Sequence, residues 1–243
     1  MFSPLWLLLV VPTLILTIWA QVKTSAAFKK YSRIANSADM SGAEAAAYML
    51  QGSGIEVVSS SETAKAQANA VSIESVGGFL SDHYDPRSKV LRLSPQVYGG
   101  RSLASVGVAC HEAGHALQHA RGYAPLALRS LMVPVATFGS NLAMALILIG
   151  LIIQPLHVLA IVGLLFFAAA VAFTIITLPV EFNASSRAKA ALSNFGIIRT
   201  AEEQRGVAAV LDAAALTYVA AAAAAIANLL YYALLVFGGG RRH

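Results

Sequence analysis

The sequence predicts a mainly α-helical polytopic membrane protein, with about four transmembrane helices and a small cytoplasm-facing α+β part. Three observations carry that prediction. Residues 130–180 hold no Asp, Glu, Lys or Arg across 51 positions, about twice the length that one bilayer crossing needs. Two further uncharged runs cover residues 1–22 and 213–240. Only 12% of the 243 residues are charged and the mean hydropathy is +0.66, which excludes an ordinary soluble domain. The 12 acidic and 17 basic residues are therefore crowded into residues 23–129 and 181–212, plus a short basic C-terminus. A net charge of +5 raises the question of nucleic acid, but the positive residues are scattered and accompany the apolar spans. Juxtamembrane anchoring in a lipid bilayer accounts for them, and no nucleic-acid partner is expected. Cys110 is the single cysteine, so no disulfide framework stabilises the chain.

In chain order, residues 1–22 read as the first transmembrane helix. They lack the basic start and the small-x-small cleavage site of a signal peptide, so a retained helix is expected. Lys23, Lys29, Lys30 and Arg33 follow at once and belong in the cytoplasm by the positive-inside tendency. Residues 23–130 form the first polar part. Residues 131–178 form a transmembrane hairpin, split at Gln154-Pro155-Leu156-His157 into helices over about 131–153 and 158–178. Residues 179–212 form a second, helical polar part, and residues 213–243 supply a fourth span and a short tail. Four crossings from an external N-terminus leave both polar parts in the cytoplasm. Arg241 and Arg242 then lie outside, against the tendency.

Within the first polar part, Ser41 precedes a helix to Gln51, with Glu44 three residues on to complete a capping box and Gly52 and Gly54 to end it. Ile55 to Val58 and Lys89 to Leu93 have strand character, and His83 to Arg87 read as the turn between strands. A small mixed sheet packed on helices is expected.

Ser102 to Ala120 has a polar start, apolar residues at helical spacing, and Gly122 and Pro125 to stop it. It contains His111-Glu112-Ala113-Gly114-His115. On a helix, His111 and His115 lie one turn apart on one face, so two imidazoles can reach one zinc ion while Glu112 stands beside them. With 6 His and 8 Glu in the chain, this pattern arises in roughly 0.005 of shuffled sequences, too rarely to dismiss as accident. A catalytic zinc needs a third protein ligand and one position open to water. Glu112 would then take a proton from that water and pass it to the leaving amine. His119 stands about 6 Å beyond His115 along the axis, too far to share the ion with His111. The metzincin pattern would need a histidine at position 121, which is Arg121. Glu181, where the third span is expected to end, is the better candidate. The alternative is a plain acid at a helix start, favoured there by the helix dipole.

The stretches Ser81-Asp82-His83-Tyr84-Asp85-Pro86, Leu91-Arg92-Leu93-Ser94, Val106 to His119 and Leu178-Pro179-Val180-Glu181-Phe182 together resemble the YugP family of membrane-bound zinc metallopeptidases. That family shares its motif logic with the membrane gluzincins. The resemblance implies a zincin-like, cytoplasm-facing zinc peptidase with His111, His115 and Glu181 as ligands and Glu112 as base. One position departs from the gluzincin pattern: Ser185 stands where an Asp, four residues after the ligand Glu, can orient a zinc-bound His. Asn183 or Ser185 fills that role, or neither does.

Other readings are open. Lys89 to Leu93 is either the edge strand that holds an extended substrate or an ordinary sheet strand. His83, Tyr84, Arg187 and Tyr218 are candidates for stabilising an oxyanion, against packing or surface roles. Gln118 either touches the groups behind the metal or faces solvent. Cys110 points about 100° away from His111 and reads as a small buried hydrophobe. The expected function is a membrane-embedded zinc endopeptidase acting on membrane proteins or peptides at the cytoplasmic surface of the plasma membrane. The rival is a non-catalytic membrane scaffold with a structural zinc, for which Glu112 would be unnecessary.

Overall fold

A computed structural model describes residues 4–78 and 81–238. Arg241, Arg242 and His243, on which the expectation of a basic tail falls, lie outside the described residues. The order is α1 (Pro4–Tyr31), α2 (Gly42–Gly52), β1 (Glu56–Val58), α3 (Ser61–Ala66), β2 (Ala70–Ser75), β3 (His83–Asp85), β4 (Val90–Leu93), α4 (Pro95–Tyr98), α5 (Leu103–Ala120), α6 (Ala124–Ile152), a 3-10 turn (Gln154–Leu156), α7 (His157–Asn194) and α8 (Ala201–Gly238). The chain divides into two units, one of Met1–Gln21, Ala127–Pro179 and Leu216–His243, the other of Val22–Leu126 and Val180–Ala215.

Four helices among the described residues are long and apolar enough to cross a membrane: Pro4–Tyr31, Ala124–Ile152, Gln154–Asn194 and Ala201–Gly238. The split of the long run at Gln154 is as expected, because Pro155 cannot supply the N–H that would continue α6. The helix start expected at Glu181 is not found. The helix continues through Pro179 to Asn194, so Glu181 lies well inside α7 and not at a helix start. A proline inside a helix removes one backbone hydrogen bond, at a cost of about 3 kcal/mol, and long apolar helices tolerate it where neighbouring groups compensate.

The second unit holds the sheet. Its strand order is β1-β2-β4-β3, with β1, β2 and β4 parallel and β3 antiparallel to β4. The Lys89 to Leu93 segment is therefore interior, between β2 and β3, which corrects the edge-strand reading. Three residues of the expected turn, His83–Asp85, are the edge strand itself, paired with Val90 to Arg92. The turn proper follows at 86–89 and is closed by Asp85. Its carboxylate accepts the Arg87 N–H at 2.9 Å and the Ser88 hydroxyl at 2.5 Å and pairs with Arg92 at 3.1 Å. Asp82 likewise ties the entry to β3 to the end of β4 by accepting the Ser94 N–H at 2.7 Å.

Helices α2 and α5 cover the sheet. Ser41 caps α2 and the reciprocal contact with Glu44 completes the capping box. Met49, Leu50, Leu91, Leu93, Leu103, Val106, Cys110 and Leu192 are buried together, with Cys110 a hydrophobe as expected. Each large aliphatic in such a place contributes about 1.5–3 kcal/mol. The start of α5 is pinned twice. Ser102 accepts the Ser105 N–H at 3.1 Å, and the Leu103 N–H reaches the Ile34 carbonyl at 2.8 Å.

Burial works against the Asp85 charge, but the Ser88 hydroxyl, the Arg87 amide and Arg92 outweigh it and hold the carboxyl at about 2. A carboxylate depressed in the folded state stabilises it above the ordinary value, and that contribution is lost as pH falls towards the folded value. Thermal unfolding of the detergent-solubilised protein should therefore fall between pH 4 and pH 2. An Asp85→Asn variant should be less stable at pH 7 and show a flatter dependence over that interval.

Candidate metal centre

Helix α5 carries His111, Glu112 and His115, and the Val180–Asn194 stretch of α7 carries Glu181 and Ser185. Their meeting depends on Gly114. A Cβ at that position would lie 2.8 Å from the Ala184 carbonyl oxygen and 3.1 Å from its Cα, so only a glycine lets the two backbones approach this closely. Glu181, 2% exposed, then projects between the imidazoles. Its Oε2 lies 3.2 Å from His111 Nε2 and 3.6 Å from His115 Nε2. The two rings stand nearly perpendicular, at 85° with centroids 4.9 Å apart.

The three ligand atoms lie within 4.8 Å of one another. Four ligands placed tetrahedrally about 2.0–2.1 Å from a zinc ion stand about 3.3 Å apart, close to the two Glu181 distances. The far nitrogens support the same donor set. Gln118, fully buried, donates its Nε2 to the Val180 carbonyl at 2.8 Å and to Asn183 Oδ1 at 3.0 Å. Its Oε1 is thereby turned towards His115 Nδ1 at 3.0 Å and can only accept, which puts the proton on Nδ1 and leaves the Nε2 lone pair for a metal. Ser185 Oγ stands 3.0 Å from His111 Nδ1 and can do the same for that ring. The residues present thus fit a zinc ion in donor type, spacing and tautomer.

Charge agrees. Burial opposes a proton on His115, but the hydrogen bond to Glu181 and the charges of Glu112 and Glu181 outweigh it and raise its proton affinity. The centre is electronegative and suits a cation. Loss of water pushes the Glu112 carboxyl upward, opposed by the two histidines and reinforced by Glu181 and Asp82. Glu112 Oε2 accepts the backbone N–H of Tyr84 in β3 at 3.1 Å, so the edge strand fixes that carboxylate.

Both Ser185 and Asn183, the candidates for orienting a histidine, are engaged, in different ways. Ser185 touches His111 directly, whereas Asn183 acts through Gln118 and also accepts from Arg187 Nε at 2.7 Å. Gln118 is a contact behind His115 and not a solvent-facing residue. The signal was its spacing, three residues after His115 and seven after His111, on the same helical face. The Tyr84 hydroxyl lies 2.9 Å from His119 Nδ1, and His83 Nδ1 lies 2.7 Å from the Ser81 carbonyl. Tyr218 belongs to the other unit.

Fold and centre together define a helical protein with four membrane-length apolar helices and a compact part that could hold one divalent ion. A family model described as "putative neutral zinc metallopeptidase" matches residues 6–237, and the chain belongs to that family. It is 45% identical over 215 residues to the "putative membrane protease YugP" of Bacillus subtilis (strain 168), covering 88% of this chain and 89% of the relative. No solved structure matches.

Two outcomes test the geometry. Gly114→Ala should drive α5 from α7 and cut the zinc content of the purified protein severely, as read by elemental analysis. Gln118→Met should leave the fold intact yet weaken zinc binding about 10–100-fold in chelator competition, the range expected when the group orienting a ligand histidine is removed.

Proposed function

We propose that the chain is a membrane-embedded zinc-dependent endopeptidase that hydrolyses peptide bonds of membrane proteins or peptides at the cytoplasmic membrane surface. The observation that carries this reading is the convergence of His111, His115 and Glu181 within 4.8 Å, with Glu112 beside them on the same helix. His111, His115 and Glu181 are the ligands and Glu112 is the catalytic residue. Zinc, when bound, supplies Lewis acidity that makes a water more acidic and polarises the scissile carbonyl.

The chain's own groups do the rest. Ser185 and Gln118 hold the two imidazoles in the tautomer that binds metal. Glu112 is held through Oε2 by the Tyr84 amide, which leaves Oε1 to take the proton from water and return it to the leaving amine. Loss of water pushes its carboxyl upward, the direction that favours taking up a proton.

In this proposal residues 1–22 and 131–178 cross the membrane, residues 213–243 supply the fourth span and a short basic tail, and the polar parts 23–130 and 179–212 face the cytoplasm. Lys23, Lys29, Lys30 and Arg33 directly after the first span support that orientation. A peptidase with its centre there meets chains at or emerging from the inner leaflet of the plasma membrane.

The scaffold reading has no use for Glu112, so one pair of variants separates the two. Glu112→Gln should keep its zinc and lose cleavage of casein in detergent micelles by a factor of at least about 10². Glu181→Ala should lose both zinc and cleavage. Unchanged proteolysis in Glu112→Gln would exclude this mechanism.

A further inference from the structure

A cavity of about 250 Å³ opens beside the centre, between the C-terminal half of α5 and the sheet. It is smaller than a drug-sized pocket and suits a single side chain or chain end. Ala70, Val71 and Ala116 in its wall are buried and apolar, while Tyr84, Lys89 and His119 bring the polar groups. Tyr84 joins the cavity to the centre. Its amide holds the Glu112 carboxylate at 3.1 Å and its hydroxyl, 2.9 Å from His119 Nδ1, lines the cavity. Ala116 and His119 follow Glu112 by four and seven residues, on the same stripe of α5. Four residues of helix rise about 6 Å, which an extended peptide covers in about two residues. A substrate that runs along α5 with its scissile carbonyl at Glu112 would therefore carry a residue over this cavity.

The polar groups are donors. Burial pushes the Tyr84 phenol upward, so its hydroxyl keeps a proton that it can donate to His119 Nδ1, 2.9 Å away. With the hydroxyl as donor, a neutral His119 carries its proton on Nε2, a second donor. The Lys89 ammonium has three hydrogens and gives two of them to the carbonyls of Gln67, at 2.5 Å, and Ala68, at 3.2 Å. Asp85, next to Tyr84 in the chain, is neutralised by Arg92 at 3.1 Å. Lys89 also stands at φ 51°, a left-handed turn position where glycine is the default. A long cationic side chain held in that conformation suggests a use for the ammonium.

We infer that this cavity is a substrate subsite that receives a carboxylate of the peptide, within about two residues of the scissile bond, through Lys89 and His119. The carboxylate comes from an Asp or Glu side chain or from the C-terminus of the substrate. The inference rests on the peptidase reading.

The test uses the full-length zinc-loaded protein in detergent micelles and quenched-fluorescence decapeptides. One series carries Glu, Gln or Lys at each position flanking the cleaved bond, with amidated C-termini. A second series compares free and amidated C-termini at the same distances. One carboxylate source should raise kcat/KM about tenfold, the lower range for a charge-assisted hydrogen bond in an open pocket. Preference for Glu identifies the side chain, and preference for the free acid identifies the terminus. Lys89→Met should abolish the preference, bringing the Glu and free-acid peptides down to the kcat/KM of their Gln and amidated counterparts. Lys89→Gly, which relieves the left-handed backbone, should abolish it without lowering Tm. Equal rates on all peptides, or a preference that survives both substitutions, would overturn the subsite alone. If the wild type cuts neither casein nor any peptide, the peptidase reading falls and the subsite with it.

Discussion

The approach of α5 to the Val180–Asn194 stretch of α7 is the constraint on which the centre depends. A glutamate reaches about as far as a histidine, so a carboxylate from one helix can meet two imidazoles from another only when the backbones nearly touch. Gly114 supplies that contact at the turn between the two histidines, where the Ala184 backbone fills the space a side chain would take. The same closeness brings the Val180 carbonyl and Asn183 within reach of Gln118. Packing and chemistry are thus fixed by one contact: what lets Glu181 in also orders the groups behind His115.

The polar groups behind the centre form a directed chain. Asn183 Oδ1 accepts from both Arg187 and Gln118, and the Val180 carbonyl accepts from Gln118 as well, so the amide of Gln118 has a single satisfactory orientation. That orientation sets the tautomer of His115. A carboxylate in this position, the gluzincin solution at residue 185, would accept more strongly than a hydroxyl and add negative charge. Ser185 instead pairs His111 with a neutral group that can turn its proton away. Two carboxylates, Glu112 and Glu181, already sit at the centre, and a third would raise the electrostatic cost of ionising Glu112 further.

Much of this was legible from local rules. The capping box at Ser41 and Glu44 and the extent of α5 from Ser102 are signals carried by residues within one or two turns of each other, and the structure has both. The four long apolar helices follow from runs without charge. What local reading missed depends on distant partners. Strand β2 pairs with β1 and β4, which lie far apart in sequence, and its two outer neighbours decide its place. The Lys89 to Leu93 strand alternates as an edge strand would, yet the His83–Asp85 strand covers it. The helix start expected at Glu181 fails because the helical pattern on the two sides of Pro179 belongs to one helix, which the end of the apolar run does not mark.

The position of Glu181 within a continuous helix has a consequence for the centre. At a helix start the carboxylate would be tethered to a flexible boundary and its distance to the imidazoles would vary with each opening of the end. Inside α7 it is fixed by turns on both sides, and Val180, Ala184 and Ala188 beside it are fully buried. The donor set is then held before any ion arrives, so binding need not order the ligand backbone. The edge strand completes the arrangement from the other side, because the Tyr84 amide restrains the Glu112 carboxylate, which is not a member of the cluster of His111, His115 and Glu181. Three elements from separate parts of the sequence thus meet here: α5 brings both imidazoles and Glu112, α7 brings Glu181, and the β3 backbone restrains Glu112.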